Sequence, residues 1–144
     1  MTEMIAETLT EDHRRCDRLL ASVETSAGRK DWAAAQSGAA ALEAAMERHF
    51  SFEEETLFPP LQSATAMAMG PTGVMRMEHR QIRALLGDLL QAAEARDRAE
   101  CLGLLESLHM VIQQHNAKEE AILYPLADQA LAADAPELVT RLGQ

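Results

Sequence analysis

The stretch His49-Phe50-Ser51-Phe52-Glu53-Glu54 recurs 66 residues later as His115-Asn116-Ala117-Lys118-Glu119-Glu120. Both copies place a glutamate four residues after a histidine. The same shift superimposes Asp12-His13 on Glu78-His79. An internal repeat of this length predicts two similar halves that pack together.

The composition predicts an all-α fold. Hydrophobic residues make up 47% of the 144 residues but aromatic ones only 3%, so the core is expected to be aliphatic. Glycine and proline are few, and the long stretches rich in alanine, leucine and glutamate show no strand-like alternation. The length fits a single domain, 1–144, with one core.

Apolar spacing, N-cap residues and helix-ending glycine or proline predict four long helices and a short C-terminal helix. The first is expected from Thr8 or Thr10 to Ala27, ending at Gly28, and the second from Asp31 to Phe58, with a stop or a kink at Pro59-Pro60. The third should begin near Pro71 and the fourth near Asp97. The short C-terminal helix should begin at Asp134 as its cap. Short connections within each half make sequential helices antiparallel neighbours. The predicted architecture is an up-down-up-down antiparallel four-helix bundle with an internal two-fold repeat.

Four histidines fall on apolar helix faces at one level of this bundle. In an antiparallel hairpin, residues equidistant from the turn lie at the same height, and both histidine pairs are centred on predicted turns, at residues 31 and 97. A glutamate four residues after a histidine lies on the same helix face. The candidate metal ligands are therefore His13, His49, Glu53, His79, His115 and Glu119.

The alternative to a metal site is a metal-free bundle in which the histidines are hydrogen-bonded core residues. Burying two glutamates without a cation is costly, which favours the metal site. Nitrogen and carboxylate ligands suit iron, manganese or zinc, and carboxylates shared inside a bundle favour two irons. Glu54, Glu55 and Glu120 turn to other helix faces and are expected to be solvated; a ligand role for one of them is the alternative.

With its order H…HxxxE…H…HxxxE, the chain resembles the hemerythrin-like (HHE cation-binding) proteins over about residues 8 to 130. The resemblance implies an oxo-bridged non-haem di-iron centre with Glu53 and Glu119 bridging the irons. It also implies engagement of O2, nitric oxide or peroxide, in sensing, stress response or iron-centre repair. Oxygen-carrying hemerythrins have a fifth histidine where this chain has Met75, so reversible O2 carriage or storage is the alternative function.

Three other residues could be assigned to the site. His109 is rotated about 120° from the nearest candidate histidine on its helix and is expected to be a surface residue. Tyr124 is the repeat counterpart of Phe58, which favours packing over redox chemistry. Cys16 is expected to be a small core residue.

The net charge, the cysteine content and the search for targeting segments bear on the expected partners and the expected compartment. The net charge of −10 argues against nucleic-acid and anionic-membrane partners. The two cysteines, Cys16 and Cys101, form no disulfide framework, and neither a secretory signal nor a membrane-spanning stretch is visible. A cytoplasmic protein is expected. The expected partner is a small diatomic ligand or peroxide, and no protein partner is identified.

Two further function classes compete with ligand binding. One is enzymatic reduction of peroxide or nitric oxide at the same centre, for which the sequence shows no second cofactor motif. A purely structural or interaction bundle is disfavoured by the glutamates at the core.

Overall fold

The computed structural model describes residues 4–143, and 94% of it is helix with no strand in that range. Its helices are α1 (Met4–Gly28), α2 (Trp32–Phe52), α3 (Phe58–Ala64), α4 (Met69–Glu94), α5 (Arg98–Lys118), α6 (Tyr124–Ala130) and α7 (Ala135–Leu142). The all-α prediction is confirmed, and the helices form a bundle in which α1 and α4 each pack against both α2 and α5. Residues 1–3 and 144, which the predicted domain includes, lie outside the described residues.

The two short connections follow the repeat closely. Lys30 (φ 60°) and Arg96 (φ 57°) both adopt the left-handed conformation that ends many helices. Gly28, the predicted helix end, is the last residue of α1, but the left-handed turn falls on Lys30. Asp31 then caps α2 as predicted, and Asp97, near which the fourth long helix is expected to begin, caps α5. Each aspartate accepts a hydrogen bond from the backbone amide three residues later.

The first helix begins earlier than the sequence predicts. The Asp128 carboxylate, from α6, accepts hydrogen bonds from the backbone amides of Ile5 (2.8 Å) and Ala6 (3.0 Å). These are amides that the first turn of a helix leaves without an internal partner. The expected start at Thr8 or Thr10 is therefore wrong, because a distant side chain caps α1 in place of a local one.

Neither long helix stops at its proline. The chain continues from α2 into α3 through a π-helical segment, Glu53–Leu57, and from α5 into α6 through a second one, Glu119–Leu123. The amides of Phe58 and Tyr124 donate to the carbonyls five residues earlier, immediately before a proline in each half. Of the two outcomes expected at Pro59-Pro60, a stop or an extension, the extension is thus the one that occurs. Each π-segment begins at a candidate ligand glutamate, and such segments are frequent at functional sites.

The histidine layer divides the core into two apolar clusters. One cluster contains Leu20, Leu86 and Leu105 and extends from the histidines towards the short connections. The other contains Ile5 and Leu61 and lies on the opposite side of the histidines along each helix. Polar side chains between these clusters are consequently shielded from water. None of the described helices is long and apolar enough to cross a membrane.

Candidate metal centre

All six predicted ligand residues are buried and lie together between the two apolar clusters. Each of the four long helices supplies one histidine, and each π-segment supplies one glutamate. None of the six residues is more than 5% exposed. They divide into two groups around the shared glutamates.

The first group consists of Glu53, His79, His115 and Glu119, whose nearest ligand atoms lie within 4.8 Å of one another. His79 Nε2 is 3.1 Å from Glu53 Oε1, and His115 Nε2 is 3.1 Å from Glu119 Oε1. Despite this proximity, Glu53 Oε1, His79 Nε2, His115 Nε2 and Glu119 Oε2 form no hydrogen bond within the described residues. Four buried polar atoms without partners are costly unless something else satisfies them. Imidazole nitrogens and carboxylate oxygens aimed at one point fit a metal cation.

The second group consists of His13, His49 and Glu119, again with ligand atoms within 4.8 Å. Glu53 Oε2 lies 3.5 Å from His49 Nε2, so this carboxylate faces both groups through its two oxygens. Glu119 also belongs to both. The arrangement therefore provides two adjacent cation positions with shared carboxylates.

Tyr124 enters the second group through its hydroxyl. Its oxygen lies 3.0 Å from His13 Nε2, 3.2 Å from His49 Nε2, 2.7 Å from Glu53 Oε2 and 3.0 Å from Glu119 Oε1. The packing interpretation accounts for the burial of the ring but misses the contacts of the hydroxyl. Phe58, the repeat counterpart, has no hydroxyl, so the two halves differ here.

A carboxylate lies against the outer nitrogen, Nδ1, of every candidate histidine. The pairs are Asp12 with His49 at 2.7 Å, Glu54 with His79 at 2.7 Å, Glu78 with His115 at 2.9 Å and Glu120 with His13 at 2.8 Å. A hydrogen bond at Nδ1 fixes the ring so that Nε2 faces the centre, as in carboxylate–histidine–metal arrangements.

The expectation that Glu54 and Glu120 are solvated holds only in part: their side chains are 20% and 38% exposed, but each carboxylate also contacts a histidine. A residue one position after an inward-facing glutamate is rotated about 100° around the helix, which places it at the boundary with a neighbouring helix. From there each carboxylate reaches a histidine on that neighbour. Glu55, in contrast, is exposed as predicted. The recurrence of an acid after both ligand glutamates, and before two of the histidines, was the available sequence signal.

Cations and an aromatic ring hold these outer groups in place. Arg83 binds Glu54 at 2.9 Å and Glu47 at 2.8 Å, and Lys118 binds Glu78. The Phe50 ring stacks on His79 with 4.0 Å between ring centroids. The histidine orientations are consequently supported by more than one contact.

The buried charges strongly perturb the acid–base behaviour of the centre. Burial alone would lower the pKa of His49, but the Glu53 carboxylate and the hydrogen bond with Asp12 raise it to about 10. Burial alone would also lower the pKa of His115, but the Glu119 carboxylate, 3.1 Å from its Nε2, raises it to about 9. Burial would raise the pKa of Glu53, but the charge of the neighbouring His49 holds that pKa well below its usual value. Positive charge beside these carboxylates is therefore strongly favoured, and a metal cation supplies it.

Comparison with known proteins agrees with this geometry. The family model of the hemerythrin HHE cation-binding domain matches residues 4–127. The chain belongs to this family. No match was found among curated proteins or among solved structures. The resemblance inferred from the motifs is thereby confirmed, and the family and the buried cluster together support a metal-binding protein.

Two residues bear on how this hemerythrin HHE domain differs from five-histidine proteins. Met75 is 3% exposed and packs in the second apolar cluster, with Leu57 and Phe58. His109 is exposed and belongs to neither ligand group in the part of the chain described. The centre thus gathers four histidines.

Proposed function

We propose that this hemerythrin HHE domain is a non-haem di-iron protein. His79 and His115 would hold one iron, His13 and His49 the other, and the two glutamates would be shared. The observation that carries the proposal is the convergence of four buried nitrogen and oxygen atoms that have no hydrogen-bond partner among the described residues. Neither ligand group includes a cysteine within that range, which suits iron, manganese or zinc, and the carboxylates facing both groups favour two irons.

This centre requires the four long helices to run up-down-up-down within a single domain. The connections at residues 29–31 and 95–97 are short, and the helices they join pack against each other. Such connections favour antiparallel neighbours. The four histidines lie at the same height along the bundle, which supports the same topology.

The iron centre would engage O2, nitric oxide or peroxide, in sensing, stress response or iron-centre repair. Support comes from Met75, which stands where five-histidine proteins place an imidazole and packs among apolar side chains. One iron would then have a coordination position free for a small ligand, while the surrounding apolar clusters limit the access of water. The cytoplasm is the proposed compartment, because Cys16 and Cys101 are both free thiols.

An O2 titration of anaerobically reduced, iron-loaded protein tests this function. When O2 is added, we expect the reduced protein to convert irreversibly to a ferric form, which is recognised by its charge-transfer spectrum. A spectrum that appears with O2 and disappears on deoxygenation would instead support the carrier alternative. Zinc-loaded protein is the control, because zinc has no redox chemistry. An iron-loaded sample without any spectral change would contradict the proposal.

A further inference from the structure

The environment of the Tyr124 hydroxyl is unusual for a core tyrosine. The residue is fully buried, and its oxygen lies 2.7 to 3.2 Å from four ligand atoms. Three belong to the second ligand group (His13, His49 and Glu119), and the fourth belongs to Glu53. A phenol donates one hydrogen bond and can accept two at most. Hydrogen bonding therefore accounts for no more than three of the four contacts.

The distances match those between neighbouring ligands of one metal ion. When metal–ligand bonds are about 2.1 Å long, adjacent vertices of an octahedron lie about 3.0 Å apart. The oxygen is close to this separation from His13 Nε2, His49 Nε2 and Glu119 Oε1. Glu53 Oε2 is slightly nearer, at 2.7 Å. The four atoms and the hydroxyl thus resemble five vertices around one cation.

We propose that Tyr124 is a further protein ligand, bound through its oxygen to the metal held by His13 and His49. This inference rests on the proposed di-iron function. The oxygen forms the bond to the metal, and the phenol proton leaves to solvent as the bond forms, so the charge of the cation is partly neutralised.

A tyrosine ligand makes the two metal positions different. The equivalent place in the other half is occupied by Phe58, whose ring stacks near His79 with 6.1 Å between ring centroids and offers no ligand atom. The metal at His79 and His115 then has one protein ligand fewer. Exogenous ligands accordingly bind at that metal, and the metal at His13 and His49 is closed by Tyr124.

Resonance Raman spectroscopy of the ferric, di-iron-loaded protein tests the assignment directly. Tyr124 is the only tyrosine of the chain, so any tyrosinate ring modes enhanced by a metal charge-transfer band come from it. We expect such modes, and we expect them to shift when the protein is made with ring-deuterated tyrosine. This measurement uses the natural chain and does not depend on the folding of a variant.

The variant Tyr124→Phe supplies the matched control, because phenylalanine occupies the equivalent place in the other half. It should lose the tyrosinate modes when its spectrum is compared with that of the natural chain at equal iron content. Azide added to the natural ferric protein should bind while these modes persist. Two bound irons without tyrosinate modes, or loss of the modes on azide binding, would overturn the assignment and leave the di-iron function standing. Failure of the natural chain to hold two irons would overturn both.

Discussion

The carboxylate of Glu54 lies 2.7 Å from Nδ1 of His79, a residue on a different helix. Glu54 is in turn held by Arg83, so the carboxylate connects a surface cation to a buried imidazole. The pair shows how the outer shell of the centre is built from residues adjacent in sequence to the ligands. Its effect on metal binding can be measured.

Replacing Glu54 with glutamine should weaken iron binding by roughly 10- to 100-fold, the usual cost of losing such an outer partner. The amide keeps the shape of the side chain but removes the charge that supports His79. Competition with a chromogenic chelator measures the affinity. Glu55→Gln is the matched control, because Glu55 is the next residue and is exposed. Equal affinities for the two variants would contradict the assigned role.

Asp128 should stabilise the start of α1. The variant Asp128→Ala leaves the amides of Ile5 and Ala6 without their acceptors, and we expect a loss of about 1–3 kcal/mol in the free energy of unfolding. Denaturant unfolding measures this loss, and hydrogen exchange should accelerate at these two amides. Asp134→Ala is the control, since Asp134 precedes α7 but forms no side-chain capping bond within the described chain. A loss no larger than that of the control would show that Asp128 is not a cap.

The stability of metal-free protein should fall as the pH rises. The pKa values of about 10 for His49 and about 9 for His115 lie above the value of about 6.5 for an unfolded histidine. Between pH about 6.5 and pH about 10, the folded chain therefore binds more protons than the unfolded chain. The stabilisation is fully present below pH about 6.5 and is lost as the pH rises through these folded values.

Unfolding by denaturant across this pH range, with and without iron, checks the effect. Metal-loaded protein should show a flatter dependence, because the metal replaces the protons on the imidazoles. The exposed His109 offers a control, as His109→Ala should keep the slope of the natural chain. A metal-free slope that is flat or positive would contradict this account.

The two thiols should be unreactive while the protein is folded. Burial, with a contribution from Asp12, raises the pKa of Cys16 to about 12, and burial also raises the pKa of Cys101. The thiolate is the nucleophile, so little of it exists near neutral pH. A chromogenic disulfide reagent should modify neither residue in native protein and both in denaturant. Rapid native modification of Cys16 would be inconsistent with its place in the core.

The sequence predicts the centre better than its surroundings because the repeat marks the ligands directly. The six candidate ligands form three pairs, and the members of each pair are 66 residues apart in the sequence. The structure brings all six together between the apolar clusters. Tyr124 has no such signal, because its counterpart is Phe58 and the hydroxyl is unique to one half. The early start of α1 depends on Asp128, more than a hundred residues away, and local helix-capping patterns contain no information about it.

The central claim is that one chain holds two iron ions through these histidines and glutamates. The most direct measurement is the iron content per chain after anaerobic loading and removal of excess metal, for the natural protein and for His49→Ala, Glu119→Ala and the control His109→Ala. We expect two irons for the natural chain and the control, and loss of stoichiometric binding in the other two variants. Fewer than two irons in the natural chain, or full retention after both ligand substitutions, would contradict the account.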